Sequence, residues 1–505
     1  MYGPHLSLRT RLRPTPLAGC LAVAFALASG IGSTASLGSQ AIAQSTLPAG
    51  FHPGFRRGHP AAERPGAAHA RMLPTRPRRD EPASTRTVTT CADDGSAGSL
   101  RSVMGSADDG DVIDMSQLAC STITLAGGAI DFDVDNLTLQ GPGQNALTID
   151  GNDAGRVFTI YSSSGTISIN DLTIAHGFKG GAYATGGCIY SYFASPDSLL
   201  VLTRVTVTSC TAGDAQAVYA GGGGVLTYGA LTLESSTISG NHVSGGPGSS
   251  YVAGGVGTLY NATITGSTVT GNTAVGTPPG SGVGFGAGLD LSGTPGSAGS
   301  VVRDSTVNDN VAGRSGGGVY FFTPYLEPVP VTATVVNSTI STNTAPTDAG
   351  VEVRLPSVTL NLDSSTIAFN TADTSCGGLS IAGSADSQST IIATNLGDGS
   401  ADDVCGNGTL GGANNVIVAS TLAVPGDTIS ADPMLDPLAD NGGATLTHAL
   451  RAGSPAIDVG NNASALNFDQ RGTGFARVSG AAADIGAFEV QAGGSDVIFA
   501  NGFDP

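Results

Sequence analysis

A single lysine serves the whole chain, and it stands close to a histidine in His176-Gly177-Phe178-Lys179. A base beside carboxylates that neutralise an acidic sugar is what elimination from a uronate requires, often with Ca²⁺. His176 and Lys179 are therefore the catalytic candidates if the chain is an enzyme; a surface loop is the other reading. Asp131, Asp133 and Asp135 alternate with Phe132 and Val134, so an extended strand would place the three carboxylates on one face. Such a face is either a Ca²⁺ site or a solubilising surface, and Ca²⁺ is the one cofactor considered. Asp458, Asp469, Arg471 and Asp484, much later in the chain, are expected to form an ion-pair network or a ligand site.

These residues sit in a chain built for strands. Gly makes up 75 of 505 residues, charged residues only 12%, and Trp is absent. Few helix formers and abundant Thr, Val, Ile, Ser and Gly point to strands and tight turns. No apolar period of helical length stands out beyond the N-terminal segment. From residue 87 on, 10 basic residues face 37 acidic ones, a net charge of −27. That surface repels nucleic acid and anionic membrane, and no transmembrane segment is expected in the mature chain.

Residues 1–43 read as a Sec-type signal: Arg9, Arg11 and Arg13, an apolar run from Leu17 to Ile31, then Ala41-Ile42-Ala43. Residues 44–86 carry eight arginines among Pro and Ala and no apolar period, as a disordered linker would. The chain is thus expected to be secreted or on the cell surface of a Gram-negative bacterium. With Cys20 in the signal, six cysteines remain, and neighbours lie 29, 22 and 29 residues apart. One coil of a solenoid is about that long, and stacked coils about 4.8 Å apart suit a disulfide. Cys91–Cys120, Cys188–Cys210 and Cys376–Cys405 are the expected pairs; zinc ligation lacks a C-x-x-C or a paired His.

Two phrases recur. One is Ser/Thr-Thr-Ile/Val-x-x-Asn, ending at Asn241, Asn272, Asn310, Asn343 and Asn370, and with one insertion at Asn395. The other is a Gly-rich turn opening an apolar strand, as in Gly186-Gly187-Cys188-Ile189, Gly223-Gly224-Val225 and Gly377-Gly378-Leu379. Short alternating strands fill the rest, beginning near Gly98-Ser99-Leu100-Arg101 and continuing through Leu137-Thr138-Leu139 and Ile167-Ser168-Ile169. Together these resemble right-handed parallel β-helix repeats of the polymorphic outer-membrane-protein type, over roughly residues 90–425. The fold is expected to be all-β: a right-handed parallel β-helix over 87–429, of about a dozen coils. The asparagines then form an internal hydrogen-bonded ladder, with Cys210 and Gly177 in the same place in earlier coils. Tyr190, Tyr192, Tyr228, Tyr260, Tyr320 and Tyr325 fall on the Gly-opened strands; aligned outward, they would make a strip for sugar rings or a protein partner. The stretch Gly276 to Gly288 should leave the stack as a loop.

Residues 430–490 resemble the choice-of-anchor Q domain of bacterial surface and secreted proteins, through Leu438-Ala439-Asp440-Asn441-Gly442-Gly443, Gly453-Ser454-Pro455-Ala456-Ile457-Asp458, Asp469-Gln470-Arg471-Gly472 and Asp484-Ile485-Gly486-Ala487-Phe488-Glu489. The resemblance implies a C-terminal cap after β-helical repeats. Residues 491–505 form a tail, read either as a sorting signal or as a last strand. Parallel β-helices also host pectate lyases and polygalacturonases. The chain has Asp93-Asp94, Asp108-Asp109 and Asp402-Asp403 but lacks the other polygalacturonase-like phrases. The expected function is an exported, adhesin-like binding protein for a glycan or a host or envelope surface component, without catalysis. The alternatives are a lyase or glycoside hydrolase acting on acidic polysaccharide, and a structural envelope protein.

Overall fold

The computed structural model describes residues 83–491 except 194, 196–197, 247, 277–282, 294–296 and 324–328, and leaves out the side chains of Tyr251 and Val283. The signal, nearly all of the linker, the tail beyond Gln491 and Tyr325 lie outside the described residues.

The chain winds into a right-handed parallel β-helix. A short strand, in most coils opened by the Gly turn, begins each coil, and among the described residues ten of these stack in parallel from Ile130–Phe132 to Val404–Gly406. The chain then enters a two-part sheet, whose first ladder runs unbroken from Thr85–Thr87 to Thr409–Ala413. Thr166–Ala175 and Leu199–Thr208 span both parts and bend at Asp171 and Arg204, which take φ of 57° and 51°. In later coils the same bend falls at Ser235, Asp304, Asn337 and Ser364, also at positive φ. A two-residue strand such as His242–Val243 follows the Asn turn. Ile, Leu and Val from all these strands close one continuous interior core.

The repeated phrase now reads residue by residue. Its Ile or Val points into the core: Ile238, Val269, Val307, Ile340 and Ile367 are fully buried. Its Thr points outward. Its opening Ser forms a ladder of its own, because the backbone N–H of Ser236 donates to Ser267 Oγ, that of Ser267 to Ser305 Oγ, and that of Ser305 to Ser338 Oγ.

The structure corrects two expectations. Leu100–Met104 is a short helix, not a strand, capped by Ser99 Oγ, which accepts from the Ser102 N–H. Leu100, Val103 and Met104 are buried against the first coils, where an open strand edge would otherwise lie. The excursion from Gly276 is only partly a loop, since Val283–Phe285 is a strand of a separate four-stranded sheet. That sheet, with Tyr183–Thr185, Tyr219–Gly221 and Ser250–Val252, forms an outer layer. Residues from 430 on form the C-terminal segment. They lie along the side of the stack, and Leu435, Leu450, Ala456, Ile485 and Phe488 pack on Ala368, Ile391, Ala393 and Val416.

Candidate functional sites

The six asparagines stack inside the turns. From Asn272 to Asn395, each Oδ1 accepts from the backbone N–H and the Nδ2 of the asparagine one coil earlier, at 2.9–3.1 Å, while Asn241 Oδ1 accepts from the Cys210 N–H. Nδ2 also donates to a strand carbonyl of the preceding coil, as Asn310 does to Val269 O at 3.0 Å. The ladder ends on Asp403, whose Oδ1 accepts both Asn395 bonds at 2.9 Å and whose Oδ2 accepts from Ala419 N–H.

The Gly turn is the other half of this device. A Cβ on Gly224, Gly255, Gly288, Gly318 or Gly350 would stand 2.8–3.1 Å from the amide of Asn241, Asn272, Asn310, Asn343 or Asn370. Only glycine leaves room for the amide. One coil earlier, cysteines hold both places and join as Cys188–Cys210, with Cα atoms 5.4 Å apart. This bridge therefore crosses the interior of a single coil; it does not tie stacked coils. Cys91–Cys120 and Cys376–Cys405 are also bonded.

The tyrosine strip is not an open face. Tyr190, Leu226, Asp290, Tyr320 and Glu352 share one outward row of the Gly-opened strands. The outer sheet covers it, and Tyr190 and Tyr320 pack with Tyr219, Val252, Phe285 and Phe322 as a second apolar cluster. Tyr192 and Tyr228 are half-buried at its margin, 5.7 Å apart; Tyr260 is half-buried too. Two carboxyls are sealed in this layer. Neither oxygen of Asp290 has a hydrogen-bond partner, nor does Glu352 Oε2, while Glu352 Oε1 accepts from Arg354 Nη1 at 3.2 Å. Burial, with the Asp348 charge adding and Arg354 opposing, pushes Glu352 up to about 7. Burial and then the Glu352 charge hold Asp290 well above the usual carboxylate range. A neutral acid at physiological pH has the character of a general acid, but both lie beneath the cover. The sequence reading missed both; the one signal in the sequence is their shared spacing, two residues after Gly288 and Gly350.

The other candidates are dispersed. His176 Nδ1 lies 3.0 Å from Asp150 Oδ2 in a surface pair, its own side chain 47% exposed. Lys179 ends the strand Phe178–Lys179. The strand carrying Asp131 stops at Phe132, so the expected shared carboxylate face does not form. Asp131 and Asp133 are exposed, and Asp135 turns to Ser162, Ser163 and Ser164. Burial raises its pKa, yet these donors outweigh that and hold it low. Among the described residues, the one group of ligand-type atoms close enough for a metal is Asp348, Cys376 and Cys405, and its sulfurs are spent in a disulfide.

In the C-terminal segment the expected four residues split into two groups. Arg471 and Asp469 form a buried pair at 2.7 Å, with the guanidinium between the rings of Phe475 and Phe488. Asp484 accepts from the backbone of Asp458 and Val490 instead. Arg477 and Glu489, which the sequence reading missed, connect the groups. Arg477 Nη2 donates to Asp484 O, and Glu489 accepts from Ser479 and Asp484 N–H.

This segment docks on the outward threonines. Thr122, Thr148, Thr173, Thr206, Thr237, Thr268, Thr306, Thr339 and Thr366 form one column, coil upon coil. The last three are buried: Thr306 Oγ1 donates to Leu446 O, Thr339 Oγ1 to Gln470 Oε1, and Thr366 Oγ1 accepts from Ala487 N–H. Ser341 and His448 Nε2 add a contact at 2.8 Å. The earlier members are exposed or half-buried.

A family model described as a right-handed β-helix region matches residues 123–367. No curated protein matches the chain. Among solved structures, pectate lyase Pel9A is similar at 15% identity and a TM-score of 0.46, over 81% of this chain and 97% of its own. The A-module of the Azotobacter vinelandii mannuronan C-5 epimerase AlgE6 is similar at 15% identity and a TM-score of 0.24, over 62% and 92%. Neither likeness reaches the level at which chemistry could be carried over.

Proposed function

We propose that this right-handed parallel β-helix is an exported, adhesin-like binding protein, held at the cell surface or secreted, that engages its partner along the side of the stack. One observation carries the reading. The column of outward threonines already serves as a binding face, because its last three members hold the C-terminal segment through hydroxyl hydrogen bonds, while the six earlier ones are exposed or half-buried. A solenoid presents such a face without extra architecture, since each coil repeats it at a fixed step. The partner is a glycan or a host or envelope surface component. The purified chain is expected to bind glycans on an array, or cells, without turnover; failure to bind either would remove the reading.

A second reading rests on Glu352. A carboxyl held near 7, two coils from another carboxyl raised by burial, suits acid catalysis on an acidic polysaccharide. It requires the outer sheet to move aside. Release of reducing ends or new unsaturated product from a uronate polymer, abolished by Glu352→Gln, would favour it over the binding reading.

A further inference from the structure

The reading above leaves open which part of the threonine column meets a partner and what that partner is. We infer that Thr206, Thr208, Thr237, Ser239, Thr268 and Thr270 form the floor of a slot for an uncharged, hydroxyl-rich glycan chain; the inference rests on the binding reading.

Register places these residues on three consecutive coils, two per coil, flanking the inward Val207, Ile238 and Val269. All six are half-buried, with hydroxyls on the outer face. Neighbours lie about 4.8 Å apart between coils and about 6.6 Å apart along a strand, which makes a grid of hydroxyls. Threonine is stiff at χ1, so little side-chain freedom is lost when a ligand orders the grid.

The grid has walls. On one side Gln144 leans over it, its carbonyl accepting from Thr173 Oγ1 at 2.6 Å and its Oε1 from Thr206 Oγ1 at 3.5 Å. On the other side the C-terminal segment begins, where Thr306 Oγ1 donates to Leu446 O and Thr445 Oγ1 to Asp304 O. The interface is continuous with the floor, and it shows which groups the column accepts. They are carbonyls, amides and N–H groups, all uncharged, and the hydroxyls both donate and accept. Two of the charges beside the floor are paired: Arg204 bridges Asp171 at 2.6 and 2.7 Å, and His176 meets Asp150, while Glu234 is exposed. An acidic polymer would also meet the repulsion of a strongly negative surface. A chain of neutral sugars, whose hydroxyls donate and accept in equal measure, fits these conditions.

The test titrates the full mature chain with a β-1,4-linked glucose hexamer and a β-1,4-linked mannose hexamer by calorimetry. At least one should bind. The Thr237→Val/Thr268→Val variant keeps side-chain shape and removes two hydroxyls, and should weaken that binding about tenfold or more with an unchanged melting temperature. Thr263→Val, on the other part of the sheet, should leave it unchanged. Unchanged affinity in the double variant, or no binding of either hexamer, would overturn the inference. If the chain still bound an array glycan or cells equally well with and without the two hydroxyls, the slot would fail while the broader reading stood. Failure of the unsubstituted chain to bind arrays or cells at all would defeat both.

Discussion

Two rows of polar side chains run up this molecule one per coil, and they could hardly differ more. Inside the turns, each asparagine amide both donates and accepts, so one residue type repeated in register satisfies its neighbours on both sides. On the outward row under the second sheet, Asp290, Tyr320 and Glu352 follow one another without such complementarity, and the two carboxyls keep oxygens with no partner. The amides stabilise the stack as they are. Burial raises the pKa of both acids, so protonation favours the folded chain. A buried polar row is therefore an asset when its members are self-complementary and a liability when they are acceptors alone.

The sharpest way to break this comparison is to empty one rung. Asn310→Ala removes the partners of Asn272 N–H and Nδ2 and of the Val269 carbonyl. The expected loss is about 4 kcal/mol by chemical denaturation, at any pH, since several buried groups are orphaned together. A loss under about 1 kcal/mol would mean that the ladder is incidental.

The row under the second sheet should respond to pH instead. Glu352 stands at about 7 in the folded chain against an ordinary 4.5, so between those values the folded state binds more protons than the unfolded one. Stability should therefore fall as pH rises from 4.5 to 7 and level off above, by up to about 3 kcal/mol. Glu352→Gln should flatten that slope and be the more stable protein at pH 8. Glu489, also raised to about 7, acts in the same direction and cancels in the difference. An unchanged slope in the variant would place the titration elsewhere.

The disulfide coil tests the inner row from another side. Cys188→Ala/Cys210→Ala should lose about 3 kcal/mol, as expected for a loop of 22 residues. Cys188→Gly/Cys210→Asn should recover most of it, because the Cys210 N–H already donates to Asn241 Oδ1 and the new amide would add a rung. Guanidinium titrations of the two variants give the comparison directly; equal losses would show that the slot is not interchangeable. The smallest effect belongs to the surface pair. His176→Ala should change stability by under about 0.5 kcal/mol, because exposed ion pairs contribute little.

Much of the inner row was legible in the sequence, since a buried amide at a turn imposes the same residue each time the chain returns. That Gly288 exists to make room for Asn310 was not legible, because the two stand far apart along the chain and meet only through the coil. The same holds for the serine ladder, whose residues read as ordinary strand starters. The tyrosines showed their periodicity but not their cover: Tyr219–Gly221 and Val283–Phe285 lie in Gly-rich stretches that look like loops. The acids at 290 and 352 were hidden for a plainer reason. A carboxyl on an alternating strand looks solvated until something is laid over it. His176 and Lys179 stood out by their residue types and spacing, which say nothing of position in a fold: His176 pairs with Asp150 at the surface and Lys179 ends a two-residue strand.

The lateral attachment of the C-terminal segment has a mechanical consequence. Its contacts on Thr306, Thr339, Thr366 and Ser389 reach four successive coils. A pull applied beyond Gln491 would thus load several strands at once and parallel to the segment's interface, where bonds must break together. Had the segment capped only the final turn, the same pull would peel the coils off one after another at much lower force. A stack built this way resists tension from its C-terminal side as a lap joint does, by overlap and not by the strength of any one bond.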